Sequence, residues 1–186
     1  MTDERPRLLI IAGPNGSGKS SLITATGIDT DYARGLDIED DLERYDTAIR
    51  KCAVLRERLL ESGETFGFET VASKKDKLDY IRRAKAEGYA FDMVFVTAGS
   101  PENCCSRIEA RVLAGGHDVP RDKVFSRYGR TMNNLHDYLA LADRAEVFDN
   151  SGDRLVHVLA KRDGAYILSE GAESIEWVKK YIVPYI

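Results

Sequence analysis

Residues 8–21 read LLIIAGPNGSGKSS, and this stretch decides the fold. Four aliphatic residues, Leu8 to Ile11, form a short continuous apolar run of the kind a buried parallel strand requires. From Gly13 to Ser20 the chain follows Gly-x-x-x-x-Gly-Lys-Ser, a loop whose glycines let backbone N–H groups turn inward around an anion. A helix is expected from about Gly18 to Ala25, stopped at Gly27, so its positive N-terminal end adds to the cradle. Gly13, Pro14, Asn15, Gly16, Ser17, Gly18, Lys19, Ser20 and Ser21 are therefore the candidate ATP contacts. Lys19 carries charge to the β/γ phosphates, and the Ser20 hydroxyl is the candidate Mg²⁺ ligand.

Working outward, the sequence predicts strands at 66–70, 91–97 and 145–148 alternating with helices at 40–61, 74–87, 101–114 and from 118 onward. Segments 155–159 and 165–168, separated by Lys-Arg-Asp-Gly, read as a hairpin, and 174–182 as a terminal helix holding Trp177. Strands alternating with helices predict a single three-layer α/β/α domain of the P-loop kinase-like class, with a mainly parallel sheet. In such sheets ligands bind beyond the carboxyl ends of the strands.

The 186 residues carry a net charge of −4, which gives no bulk attraction to nucleic acid or anionic membrane. Three cysteines, Cys52, Cys104 and Cys105, show no metal-ligand spacing and suit a reduced, cytoplasmic protein. The four-residue apolar run near the N-terminus is too short for a signal or membrane segment.

Among phosphate-loop proteins, a GTP switch needs Asp-x-x-Gly followed by Asn-Lys-x-Asp. Here the imitations occur in inverted order, at residues 149–152 and 73–76. Phe66-Gly67-Phe68-Glu69 is only a weak version of the acidic strand end of a motor ATPase. Phosphoryl transfer is the leading class, and it needs neutralised phosphates and a carboxylate near the acceptor hydroxyl. Asp31 is the candidate base, with Asp37 and Asp40 in the neighbouring acidic stretch as rivals. Glu69 and Thr70, at a strand's carboxyl end, are candidate substrate contacts.

The stretch SRIEARVLAGGHDVPRDKVFSRYGR places Arg107 and Arg111 one helical turn apart, ahead of a glycine pair. Residues 104–131 thus read as an arginine-bearing lid, with Arg107 and Arg111 catalytic and His117 and Arg127 on the substrate side. Asn150, in the turn after the fourth strand, is a candidate contact to the nucleotide base.

Taken in order, IAGPNGSGKSSL, Ile28-Asp29-Thr30-Asp31, SGETFGFETVAS, RAKAEGY, ARVLAGGHDVP with KVFSRY, and VFDNSG resemble the zeta toxin family of phosphate-loop kinases. The resemblance spans roughly residues 7–152. It implies ATP- and Mg²⁺-dependent phosphorylation of a UDP-N-acetylamino sugar or related metabolite, and a small antitoxin as partner. It assigns Lys19 and Ser20 to ATP and Mg²⁺, Asp31 as base, Glu69 and Thr70 to substrate, and Arg107 and Arg111 to the lid. His117 stands near the position of another lid arginine, a role that Arg121 or Arg127 also fits. The competing expectations are an ATPase or nucleotide-binding regulator without acceptor, and an inactive toxin-like protein that binds an antitoxin.

Overall fold

The computed structural model describes residues 5–26 and 41–186. Strand β1 (Arg7–Ala12) enters the phosphate loop, and α1 (Lys19–Thr26) leaves it. Next come α2 (Asp41–Ser62), β2 (Phe66–Thr70), α3 (Asp76–Ala86), β3 (Ala90–Thr97) and α4 (Pro101–Leu113). The long α5 (Arg121–Leu141) leads to β4 (Arg144–Asp149), the hairpin β5 (Val156–Arg162) and β6 (Ala165–Leu168), and a short α6 (Glu176–Tyr181).

The six strands form one sheet in the order β2-β1-β3-β4-β5-β6. The first four in that order are parallel, and β5 and β6 run antiparallel to their neighbours. The architecture is the expected three-layer α/β/α class with a mainly parallel sheet. Alternate residues of the strands, among them Leu8, Ile10, Phe91, Met93, Phe95 and Val147, share one apolar cluster. Leu78 and Ile81 of α3, Leu135 and Tyr138 of α5, and Trp177 and Val178 of α6 complete that cluster. Ile11 and Val96, on the other pleat, are also buried. That continuous burial explains why β1 reads as an unbroken aliphatic run rather than an alternating one.

Two boundaries differ from the sequence expectation. The hairpin keeps Lys161 and Arg162 in β5, and its turn is the pair Asp163-Gly164, at φ 50° and 78°. Two successive positive φ values are what a two-residue hairpin turn needs to match strand twist. Lys161 stays in the strand because its buried ammonium donates to the carbonyls of Leu139 and Ala140, closing the last turn of α5. The expected terminal helix over 174–182 is instead a 3₁₀ turn (Ala172–Ser174), the six-residue α6 and a second 3₁₀ turn (Val183–Tyr185). Gly171, at φ 78°, starts this run, and Pro184 limits it.

Among the described residues no helix is long and apolar enough to cross a membrane.

Candidate nucleotide site

β1, β2, β3 and β4 deliver Ala12, Thr70, Thr97 and Asp149 to the same edge of the sheet. The phosphate loop crosses that edge. A Cβ on Gly13 (φ 149°) would collide with the Val96 carbonyl oxygen. One on Gly16 (φ 75°) would stand 2.5 Å from the Cys104 carbonyl oxygen. Both contacts require glycine, since a side chain would push the loop off β3 and α4. Ser100 caps α4, its hydroxyl accepting from the Asn103 N–H at 3.1 Å, which sets where the helix begins beside the loop.

Lys19 is almost fully buried, and its ammonium donates to the carbonyls of Gly13 and Pro14, each at 2.8 Å. Burial pulls its pKa below the ordinary lysine value. The Glu69 carboxylate opposes that shift, and the nearby Arg111 cation reinforces it. Glu69 reaches Lys19 from the tip of β2, with Oε1 3.7 Å from Nζ. Its other oxygen, Oε2, accepts from the Ser20 hydroxyl at 3.3 Å. The Ser17 hydroxyl and the Asn15 side-chain oxygen are buried within the loop without a hydrogen-bond partner among the described residues. A buried polar atom left unpaired is costly, so these groups suit a cradle completed by a ligand.

The donor set is a buried cation, the start of a helix and an unpaired buried hydroxyl; it fits a polyphosphate. Ser20 with Glu69 beside it is a hard-oxygen pair of the type Mg²⁺ prefers. Among the described residues no group of three or more His, Cys, Asp or Glu side chains could hold a metal ion.

The remaining candidates divide. Asp31, Asp37 and Asp40 lie outside the described residues. The Thr70 hydroxyl accepts from the Ala72 N–H at 3.1 Å, holding the turn after β2, in which Ala72 takes φ 57°. Arg111 donates to the His117 carbonyl at 2.5 Å and draws the Gly115-Gly116 turn back against α4. The His117 side chain is exposed, and Arg127 is half-buried on α5. Arg107 donates to the Gly152 carbonyl at 3.5 Å, close to Gly18. The Asn150 amide donates to the Ser17 carbonyl at 2.9 Å, and its N–H to the Thr97 carbonyl at 2.7 Å. Asn150 thereby joins β4's turn to the phosphate loop.

Three supporting groups escape a motif-based reading. Thr131 and Asn134 interrupt the apolar face of α5, and they donate to the Val71 and Ala72 carbonyls at 2.7 and 3.0 Å. They pin the turn that follows the strand bearing Glu69. Tyr128 donates to the Gly99 carbonyl at 2.7 Å, tying α5 to the end of β3. A pair of polar residues three apart on a buried helix face was the available signal, because such groups must find backbone partners. Burial pushes the Cys104 thiol up to about 11, so it stays protonated beside the loop and acts as packing.

Comparison with solved structures places this geometry. A chain of the AvrRxo1-ORF1:-ORF2 structure with ATP matches 98% of the sequence at TM-score 0.73 and 18% identity. A chain of the same complex with sulphate ions matches 98% at TM-score 0.72 and 17% identity. The fold is shared. A chain from the PezAT chromosomal toxin–antitoxin system of Streptococcus pneumoniae matches 95% at TM-score 0.63 and 17% identity, over 79% of its own length. The likeness to zeta toxins read from the sequence thus has a counterpart, at the level of fold, in a structure from a toxin–antitoxin system. The present chain spans 65% of the AvrRxo1 chains it matches. No protein-family model matches the sequence, and no curated protein matches it.

Proposed function

We propose that this protein is a kinase that moves the γ-phosphoryl group of ATP, with Mg²⁺, onto a hydroxyl of a small molecule. The observation that carries the reading is the Lys19–Glu69–Ser20 cluster, a buried cation and a carboxylate meeting at the hydroxyl that follows the loop lysine. Mg²⁺ supplies charge neutralisation on the phosphates when bound. Ser20 and Glu69 would hold it, which gives Glu69 a metal-side role in place of the substrate contact expected from its strand position. Lys19 and Arg111 stabilise the charge on the transferred group. Asp31 accepts the acceptor's proton, and Thr70, His117 and Arg127 border the acceptor side. Arg111, bonded to the His117 carbonyl and near Lys19, would swing with the Gly115-Gly116 segment to close the site against water.

The sequence resemblance supports a UDP-N-acetylamino sugar or related nucleotide-linked compound as acceptor. The fold shared with a toxin–antitoxin structure supports a small protein antitoxin as partner. We place the reaction in the cytoplasm, as the unpaired cysteines suggest. Incubation with γ-labelled ATP, Mg²⁺ and a pool of nucleotide sugars tests the reading: label is expected in an organic product. Label released only as inorganic phosphate would replace the kinase with an ATPase.

A further inference from the structure

The antiparallel end of the sheet carries a polar cluster that phosphoryl transfer does not use. The pairs Glu146↔Ala160 and Ala160↔Ile167 put these three residues on one face of β4, β5 and β6, and Phe148 and Arg162 follow two places along their strands. That face is open to solvent: the Glu146, His157 and Arg162 side chains are 31%, 39% and 40% exposed, and Ile167 is 54% exposed. His157 lies between two partners. Its Nε2 stands 2.8 Å from Glu146 Oε2, and its Nδ1 stands 2.7 Å from the Ser169 hydroxyl. A carboxylate can only accept, so Nε2 carries the proton of the neutral ring, and the hydroxyl donates to Nδ1. Glu146 is held in turn by Arg162, whose guanidinium donates to its other oxygen and to the carbonyls of Ala145 and Lys161 at 3.1 and 2.8 Å. Phe148 packs perpendicular to the imidazole, with ring centroids 5.3 Å apart.

Ser169 follows β6 directly, and its backbone is fixed on both sides. Its N–H donates to the Val158 carbonyl at 2.9 Å, and its carbonyl accepts from the Ala172 N–H at 3.1 Å. Gly171, at φ 78°, takes the third place of that turn, where a type II turn needs a positive φ. A hydroxyl, a base oriented toward it and a carboxylate orienting the base are the parts of an activated nucleophile. Fastening of the hairpin accounts for them less well, because half-exposed ion pairs contribute little to stability.

We propose that Ser169, His157 and Glu146 form a second active centre, which hydrolyses activated acyl compounds such as aryl esters and thioesters. Ser169 Oγ attacks the acyl carbon, and its proton passes to His157 Nδ1 while Glu146 holds the resulting imidazolium. The bond from that carbon to the leaving oxygen or sulfur breaks, and the leaving group takes the proton from Nδ1. Water then repeats the sequence on the Ser169 ester and releases a carboxylic acid. With Arg162 committed to Glu146, charge on the substrate's carbonyl oxygen has weak support, which restricts the reaction to acyl donors with good leaving groups. Ile167, exposed two residues before the nucleophile, suits a short hydrocarbon acyl chain. This activity stands apart from the kinase reaction and does not rest on it.

Two probes test it on the full chain: p-nitrophenyl acetate, read by nitrophenolate release, and a fluorophosphonate, whose phosphorus takes the serine oxygen and loses fluoride. Nitrophenolate is expected to rise past one equivalent per protein, and peptide mapping is expected to find the phosphonyl group on Ser169. Ser169→Ala should remove both signals. His157→Gln should slow both by about a hundredfold, with the far-ultraviolet circular dichroism unchanged. Glu146→Gln, which lets the ring take its other tautomer, should slow both as well. A cluster that only fastens the hairpin would give variants with a lower urea midpoint and no label on Ser169 in any protein. Absence of label from Ser169 in the wild type, release that stops at one equivalent, or an unchanged rate in His157→Gln would each overturn the proposal.

Discussion

Replacing Glu69 with Gln removes one charge while keeping a side chain able to accept from Ser20. The carboxylate lies 3.7 Å from the Lys19 ammonium. Two unit charges at such a distance interact by about 1 kcal/mol in water and about 4 kcal/mol at the effective dielectric of a protein surface. The Glu69 side chain is 36% exposed, so screening draws the pair toward the lower limit, ~1–1.5 kcal/mol. A metal-free nucleotide must displace that carboxylate from Lys19 and then sit beside its charge. Glu69→Gln is therefore expected to tighten ATP binding in EDTA by about five- to twelvefold. With Mg²⁺ the sign reverses: the carboxylate that would help hold the metal is gone, and the gain in ATP affinity on adding Mg²⁺ falls by at least about tenfold. Calorimetric titration of ATP in EDTA and across a Mg²⁺ series reads both effects in one protein. Weaker ATP binding in EDTA would refute the counter-charge reasoning. An unchanged Mg²⁺ requirement would refute the metal-side role.

Other expectations are simpler to state. Lys19→Ala should lower ATP affinity by about a hundredfold and abolish the rise in melting temperature that ATP gives the wild type, measured by thermal shift. Gly16→Ala forces a Cβ to 2.5 Å from the Cys104 carbonyl at a positive φ, and should abolish ATP binding in the same assay while the far-ultraviolet circular dichroism stays folded. Asn134→Leu leaves the Ala72 carbonyl unpaired and should destabilise by about 1–3 kcal/mol in urea unfolding, with transfer activity falling further than stability alone explains. Asp143 supplies a pH test. Burial raises its pKa, but the hydrogen bonds from Lys85 at 2.5 Å and the Phe91 N–H at 2.8 Å outweigh that and hold it below the ordinary aspartate value. A carboxyl depressed in the folded state stabilises at pH above its unfolded value, about 3.9, and the effect fades as pH falls through the folded value. Asp143→Asn should therefore cost about 1–2 kcal/mol at pH 7, and less and less below pH 4, in urea titrations at each pH.

The phosphate loop and the alternation of strands and helices were legible because both are local. A glycine that must pass under a carbonyl and a strand buried on both faces leave their mark within a few residues. Lys161 shows where local reading ends: it looks like part of a polar turn, yet it stays in β5 because α5 offers two carbonyls from twenty residues away. The same holds for Glu69. Its position at a strand tip indicated the cleft, but contact with both Lys19 and Ser20 depends on the register of β2 against β1, which sets Glu69 beside Ile11. Arg107 and Arg111 were equivalent by helical spacing, and only the carbonyls of Gly152 and His117 distinguish them.

Trp177 approaches Gly99, as does Ser151 of the turn that joins β4 to the phosphate loop, and it is the only tryptophan in the chain. Its indole N–H is buried and has no acceptor among the described residues. All indole fluorescence of this protein consequently originates from one ring set against that turn. Emission excited at the red edge is thus a native optical gauge of that turn alone, readable in stopped flow without labels, coupled enzymes or knowledge of the acceptor.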